Sequence, residues 1–171
     1  MLDKEIKDIP VEEIETDEET TQNTIRSFEN DSLGGLLAAA NYKNDEDEIV
    51  PIEIARGGVV FLKFRIRPLS EDEYIKCKER HTKYVRNKQI GIKVPEDTDT
   101  NMYRNALIYQ ATVEEDRAKI WDNKDAWKQL DVLSGAQLIG VVLKPGEKDA
   151  ILNRLDEISG YNSALEEVAK N

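Results

Sequence analysis

Cys77 and His81 are the residues in this sequence that could most readily act as a nucleophile and its base. They lie four positions apart in a segment with helical spacing, and on a helix that spacing brings two side chains to one face. A histidine in contact with a cysteine favours the reactive thiolate. The chain, however, contains one cysteine and one histidine, and no third group that would orient His81 can be identified. We therefore interpret both residues as structural and predict no catalytic site.

Metal and phosphate sites have no better support. One histidine and one cysteine cannot supply the ligand cluster that zinc requires. The stretch from Gly140 to Gly146 resembles a phosphate-binding loop only in its two glycines, since five residues separate them and Glu147 occupies the lysine position. Acidic pairs such as Glu71 and Asp72 lie at helix starts, where they favour the helix dipole. We predict no metal, no cofactor and no enzymatic activity.

The composition is that of a soluble protein, with 39% apolar and 35% charged residues over 171 positions. No run approaches the roughly 18 apolar residues of a membrane span, and the first ten residues lack the apolar stretch of a signal peptide. A single cysteine excludes an internal disulfide, which fits a reducing compartment. We therefore expect a cytoplasmic protein without membrane contact.

The charge is concentrated at one end of the chain. Residues 1–48 hold 15 acidic and 4 basic residues, which accounts for the whole net charge of −11, whereas residues 49–171 hold 20 of each. The acidic segment has few large apolar side chains and cannot bury enough surface to offset its ordering entropy. We predict that residues 1–48 form a largely disordered acidic arm and that residues 49–171 form a single α+β domain.

One stretch of the arm, residues 32–41, differs from the rest. Its apolar side chains follow the spacing of one helix stripe, namely Leu33, Leu36, Leu37 and Ala40. Because two glycines weaken this helix in isolation, we expect it to form only against a surface. Two interpretations stay open: the helix packs on its own domain, or it docks on a partner.

The clearest strand runs from Val59 to Ile66, where apolar and basic side chains alternate. A preceding strand from Val50 to Ile54 predicts a β-hairpin, and Pro51 marks that strand as an edge. A three-residue loop over 56–58 would keep the apolar faces together. The register then pairs Ile54 with Val60, Ile52 with Leu62, and Val50 with Phe64.

After the hairpin the pattern is helical. Ser70 and Glu73 have the spacing of a capping box, and the apolar stripe predicts a helix to about Asn87, followed by a loop over 90–97. Three later helices are predicted after N-caps at 98–100, Asp122 and Ser134, the last of them stopping at Pro145. A final helix carries Ile151, Leu155 and Ile158. The predicted fold is an N-terminal β-hairpin followed by a bundle of about five short helices.

Outward-facing cations continue from the second strand onto the predicted basic helix: Lys63, Arg65, Arg67, Lys76, Arg80 and Lys83. This face could be solvated, bind the acidic arm, bind a partner protein or bind nucleic acid. The arm would repel phosphates, so we expect no nucleic acid and predict that the arm binds here. Trp121 and Trp127 leave two further interpretations open, core packing or interface anchors.

An ordered set of segments resembles a known family: FRIRPLSEDEY, KYVRNKQ, PEDTDTNMYRNALIYQATV, IWDNKDAW and LIGVVLKPGEKDAILNRLDEISGY. The chain is similar, over roughly residues 49–170, to the XkdN-like tail assembly chaperones of contractile-tailed phages and phage-like bacteriocin elements. The resemblance implies a non-enzymatic protein of the host cytoplasm. It would bind the tape measure protein, keep it soluble, recruit tail tube subunits and be absent from the mature particle.

A tape measure protein is a long helical chain with apolar stripes, so its chaperone is expected to offer a surface for amphipathic helices. Candidate contacts are Leu33, Leu36, Leu37, Tyr74, Tyr84, Trp121 and Trp127. Self-association is left open. The alternative function is an acidic protein-binding regulator or nucleic-acid mimic that acts through residues 1–48.

Overall fold

A computed structural model describes residues 26–43 and 48–161. The chain divides into two compact units, Met1–Asp45 and Glu46–Asn171. In the first unit the described structure consists of a turn over 26–30 and helix α1 (Ser32–Lys43), where the leucine spacing predicted a helix. Most of the predicted disordered arm, residues 1–25 and 44–47, lies outside the described residues.

The described part of the second unit contains two β-hairpins and six helices. In chain order these are β1 (Val50–Arg56), β2 (Val59–Ile66), α2 (Glu71–Arg80), β3 (Thr82–Arg86), β4 (Lys93–Thr98), α3 (Thr100–Ala111), α4 (Glu114–Lys119), α5 (Lys124–Gln129), α6 (Gly135–Val142) and α7 (Pro145–Ile158). The mixed α+β class is confirmed. The prediction of one hairpin and about five helices missed β3, β4 and one short helix.

The first hairpin forms as predicted, but its register is different. Gly57 and Gly58 make a two-residue turn, so Arg56 pairs with Val59 and Ala55 with Val60. A bulge at Phe61 then places Ile54 opposite Leu62. The predicted three-residue loop is therefore wrong. The extra residue in β2, Phe61, has the effect expected of the longer loop: beyond it, the apolar side chains of both strands lie on the same face.

The core face of this hairpin packs against the helices. Phe64 and Ile66 are buried, and Phe64 meets the ring of Trp121 edge-on at 5.4 Å between centroids. The carboxyl end of β2 is fastened to the chain that follows α3. The Arg67 amide donates to the Ala111 carbonyl, and the Arg65 carbonyl accepts from the Val113 amide.

Helix α2 begins with the predicted capping box but ends earlier than predicted. The Ser70 hydroxyl accepts from the Glu73 amide, and the Glu73 carboxylate accepts from the Ser70 amide. The helix ends at Arg80, and residues 82–86 form β3, which pairs antiparallel with β4. The predicted helix over 81–87 is therefore wrong. The predicted loop over 90–97 is wrong over residues 93–97, whereas residues 90–92 do lie in the connection between the strands. The Thr82 and Thr98 hydroxyls, 2.8 Å apart, join the base of this second hairpin.

The later helix boundaries follow local capping chemistry. Asp99 caps α3 within the predicted 98–100 range, and Ser134 caps α6 as predicted. Asn123 rather than Asp122 caps α5. Helix α6 ends at Val142, before the predicted stop at Pro145, and Pro145 also starts α7 in its first turn, where proline needs no amide donor. The predicted continuation through Ala164, Leu165 and Val168 lies outside the described residues.

The core of the second unit is one cluster drawn from β1, β2 and the helices. Its fully buried large side chains include Trp121, Phe64, Ile66, Ile108, Ile139 and Leu155. None of the helices in residues 26–43 and 48–161 is long and apolar enough to cross a membrane.

Candidate interaction surfaces

Cys77 and His81 do not form an activated pair. Cys77 is buried on α2, with its Sγ 3.9 Å from the Ala106 carbonyl, and burial raises the pKa of its thiol. His81 caps the carboxyl end of α2, and its carbonyl accepts from the Asp99 amide. A raised thiol pKa opposes thiolate formation at neutral pH. Within residues 26–43 and 48–161 no group of three or more His, Cys, Asp or Glu side chains could hold a metal ion.

Trp121 lies in the core and cannot contact a partner while the domain is folded. It is 0% exposed, and its indole Nε1 donates to the Thr112 hydroxyl at 3.0 Å. Thr112 is also 0% exposed and donates in turn to the Ile108 carbonyl at 2.7 Å. Of the two interpretations given to this tryptophan, its burial favours core packing.

The other predicted aromatic contacts differ in how much surface they offer. Tyr74 is 9% exposed, and its hydroxyl donates to Asp156 at 3.0 Å, so it also belongs mostly to the core. Trp127 is half-buried, its indole nitrogen donating to the Trp121 carbonyl at 2.7 Å. Tyr84, by contrast, is 43% exposed on β3. Of these three side chains only Tyr84 is exposed, and its role in binding a partner stays a prediction.

Most of the predicted basic face is already paired with carboxylates of the second unit. Arg65 donates to Asp116 and Glu115, which raises the pKa of its guanidinium. Arg67 pairs with Glu73 at 2.6 Å.

Two lysines of this face are also paired, Lys63 with Glu53 and Lys83 with Glu96. Lys76 and Arg80 have no ion pair with any described residue, and they lie on α2 while Lys83 lies on β3. Binding of the acidic arm to these six residues stays a prediction, and four of them would have to exchange a partner to do so.

An apolar surface that the sequence did not predict lies at the loop end of the first hairpin. Val59, Val60 and Phe61 are 55%, 53% and 62% exposed and follow one another directly; we call these three residues the hairpin tip. The predicted register placed Val60 on the core face, so this surface was missed. One signal was available: three consecutive apolar residues in a strand cannot all face the same core, because side chains alternate.

Arg56, at the end of β1 beside the hairpin tip, is hydrogen-bonded to the helices. The Arg56 guanidinium donates to both oxygens of Glu147, at 2.8 and 2.7 Å, and to the Val142 carbonyl at 2.7 Å. These bonds lower the pKa of Glu147 from 4.5 to about 2. They also satisfy a carbonyl at the open end of α6. The apolar side chains of the tip therefore lie next to a strand end that is bonded to α6 and α7.

A second exposed apolar group lies on α1, in the first unit. Leu33, Leu36 and Leu37 are 68%, 70% and 59% exposed. Helices with exposed apolar side chains are typical of segments that bind a further surface.

Comparison with known proteins gives a family. Residues 33–171 match the family described as Phage XkdN-like tail assembly chaperone protein, TAC. Comparison with curated proteins and with solved structures gave no match. The match spans most of the chain and includes both hairpins, the six helices of the second unit and almost all of α1. The chain therefore belongs to the XkdN-like family of phage tail assembly chaperones.

Proposed function

We propose that this protein binds the tape measure protein of a contractile phage tail in the host cytoplasm, keeps it soluble and recruits tail tube subunits. Membership of the tail assembly chaperone family supports partners among phage tail proteins. In this proposal the chain acts by binding alone and leaves before the particle is complete.

The observation that carries the proposal is the hairpin tip. Val59, Val60 and Phe61 are more than half exposed, although they lie in the strand that supplies Phe64 and Ile66 to the core. An exposed apolar patch of this kind is a suitable binding surface for an amphipathic helix whose apolar stripe would otherwise aggregate. Leu33, Leu36 and Leu37 of α1 are the second proposed contact, with Tyr84 and Trp127 as further candidates. Trp121 and Tyr74 are left out because they are buried.

The test is co-expression with the tape measure protein, followed by measurement of its soluble fraction. We expect the wild-type chain to raise that fraction and to co-purify with it. The variant Val60→Asp/Phe61→Asp should lose most of the effect, because two charges replace apolar contacts. Both side chains are exposed, so the melting temperature should change little.

The matched control is Leu133→Asp, since Leu133 is 83% exposed on the loop before α6. It should behave as the wild type does. Leu36→Asp/Leu37→Asp tests α1: weaker binding with an unchanged melting temperature supports docking on a partner, whereas a large fall in melting temperature favours packing on its own domain. No gain in solubility and no co-purification with the wild-type chain would refute the proposed function.

A second candidate function rests on the charge of residues 1–48, which hold the whole net charge of −11. An acidic regulator or nucleic-acid mimic would act through this segment alone. Deleting residues 1–48 separates the two functions. It should abolish mimicry, whereas binding through the hairpin tip should survive in part.

A further inference from the structure

The second hairpin presents one face with an unusual pair of charges. Arg86 on β3 lies directly opposite Lys93 on β4, and the next pair on that face is Tyr84 opposite Pro95. All four residues are exposed. We call these four residues the hairpin-2 face. Cross-strand neighbours of like charge destabilise a two-stranded sheet. The repulsion between Arg86 and Lys93 therefore lowers the stability of the hairpin, and an acidic residue at either position would raise it.

No described carboxylate neutralises these cations. The ion pairs among residues 26–43 and 48–161 include Lys83 with Glu96 at the base of the hairpin, but none involves Arg86, Lys88 or Lys93. The stretch from 84 to 93 contains three basic residues and no acidic one. This contrasts with Arg56, Arg65 and Arg67, each of which the fold supplies with a carboxylate.

Apolar side chains accompany the charges. Tyr84 is 43% exposed, and Ile90 and Ile92 near the turn are 61% and 57% exposed. The turn itself is ordered, because the Asn87 amide donates to the Ile92 carbonyl and Gly91 adopts a positive φ of 72°. A strand pair that presents cations beside exposed apolar groups fits a ligand that is both acidic and apolar.

We propose that the hairpin-2 face docks an acidic, partly apolar segment of a partner protein, with its carboxylates between Arg86 and Lys93 and its apolar side chains against Tyr84. The proposal rests on the proposed function, because the acidic segment would belong to one of the phage tail proteins that the chaperone binds. Charge complementarity supports an acidic ligand, and the exposed apolar side chains of Tyr84, Ile90 and Ile92 beside the cations favour a protein segment over a phosphate backbone.

The closing experiment uses Arg86→Glu in the full-length chain. This change puts a carboxylate opposite Lys93, so the hairpin should be at least as stable as before. The probe is a fluorescein-labelled 14-residue synthetic peptide that alternates Glu with Leu, read by fluorescence polarisation at low salt. We expect Arg86→Glu to weaken binding at least tenfold while the melting temperature holds or rises.

Two controls fix the interpretation. Lys128→Glu makes the same change of charge at an exposed position on α5 and should bind the peptide almost as the wild type does. The same peptide with every Glu replaced by Gln should bind at least tenfold more weakly than the acidic one. Equal binding by the wild type and Arg86→Glu would overturn the proposal, as would equal losses in Arg86→Glu and Lys128→Glu.

Two further outcomes would assign the face to another occupant and so overturn the partner. A single-stranded DNA 20-mer that binds more tightly than the peptide, and depends on Arg86, would make it a nucleic-acid site. Peptide binding that appears only after residues 1–45 are deleted would assign the face to the chain's own N-terminal segment. The assay contains no tape measure protein, so its failure is distinct from a failure of the proposed function.

Discussion

At the scale of single residues, one chain of hydrogen bonds links polar groups in and beside the apolar core. Thr112 accepts the indole proton of Trp121 and donates to the Ile108 carbonyl, and the Trp121 carbonyl accepts from Trp127. In this chain the buried Trp121 is both donor and acceptor, whereas the half-buried Trp127 is a donor. The sequence allowed core packing as one interpretation of Trp121. It could not predict that Thr112 would accept the indole proton, because only the fold brings the two side chains together.

Thr112→Val tests this arrangement, because valine keeps the shape of threonine but cannot accept the indole proton. A buried donor without an acceptor costs about 1–3 kcal/mol. We expect the free energy of unfolding, measured with urea, to fall by that amount. The double variant with Trp121→Phe should lose less than the sum of the two single changes. Strictly additive losses would mean that the bond contributes nothing.

At the scale of elements, the first hairpin shows how far periodicity can be trusted. The alternation of apolar residues predicted both strands and the hairpin between them. It could not predict the register, because two arrangements keep the apolar side chains on one face. One is a three-residue loop without a bulge, and the other is the observed two-residue turn with a bulge at Phe61. Gly57 and Gly58, with φ of 59° and 79°, make the short turn possible.

The turn predicts opposite effects for two substitutions. Asparagine tolerates positive φ, and nothing lies within 4 Å of a Cβ at either glycine. Gly57→Asn should therefore hold or raise the melting temperature, as an Asn-Gly turn does in other hairpins. Gly58→Ala places a Cβ at positive φ and should cost about 1 kcal/mol. Equal effects of the two changes would argue against a turn with two left-handed residues.

The second hairpin was missed because its residues satisfy two patterns. Tyr84 and Val85 continue the apolar stripe of α2, which predicted one long helix, but Thr82, Tyr84 and Val85 are also residue types that favour strands. What decides is tertiary pairing. The Thr82 hydroxyl is hydrogen-bonded to the Thr98 hydroxyl, and the Asp99 amide donates to the His81 carbonyl. A turn signal was present in the run from Asn87 to Gly91, and it separates two strands rather than ending a helix.

At the scale of the whole molecule, ion pairs between distant residues fasten the first hairpin to the helices. Arg56 reaches Glu147 across 91 positions, and Arg65 reaches Asp116 across 51. Arg67 reaches Glu73 just inside α2. The sequence showed Arg65 and Arg67 as part of one outward basic face and Arg56 as a loop residue, and no local pattern could reveal that each of the three pairs with a carboxylate in the fold. The cations without such partners, on the second hairpin, could be recognised only once those pairs were known.

These pairs predict how stability depends on pH. Contacts with Arg67 and Arg56 lower the pKa values of Glu73 and Glu147 from 4.5 to about 2. Below pH 4.5 the unfolded chain takes up protons that the folded chain still refuses, so unfolding becomes more favourable as pH falls. The stabilisation from both groups is fully present above about pH 5 and is lost progressively towards pH 2.

Glu73→Gln and Glu147→Gln should each lower the free energy of unfolding at pH 7 and flatten its fall between pH 5 and pH 2. Urea titrations over that range measure both effects. The wild-type and variant curves should approach each other near pH 2, where about half of each wild-type carboxylate is protonated in the folded chain, and should meet below that pH. Glu79→Gln is the matched control: Glu79 is exposed, has no ion pair among the described residues, and should give a curve parallel to the wild type. Parallel curves for all three variants would mean that the two arginine pairs do not fasten the hairpin to the helices.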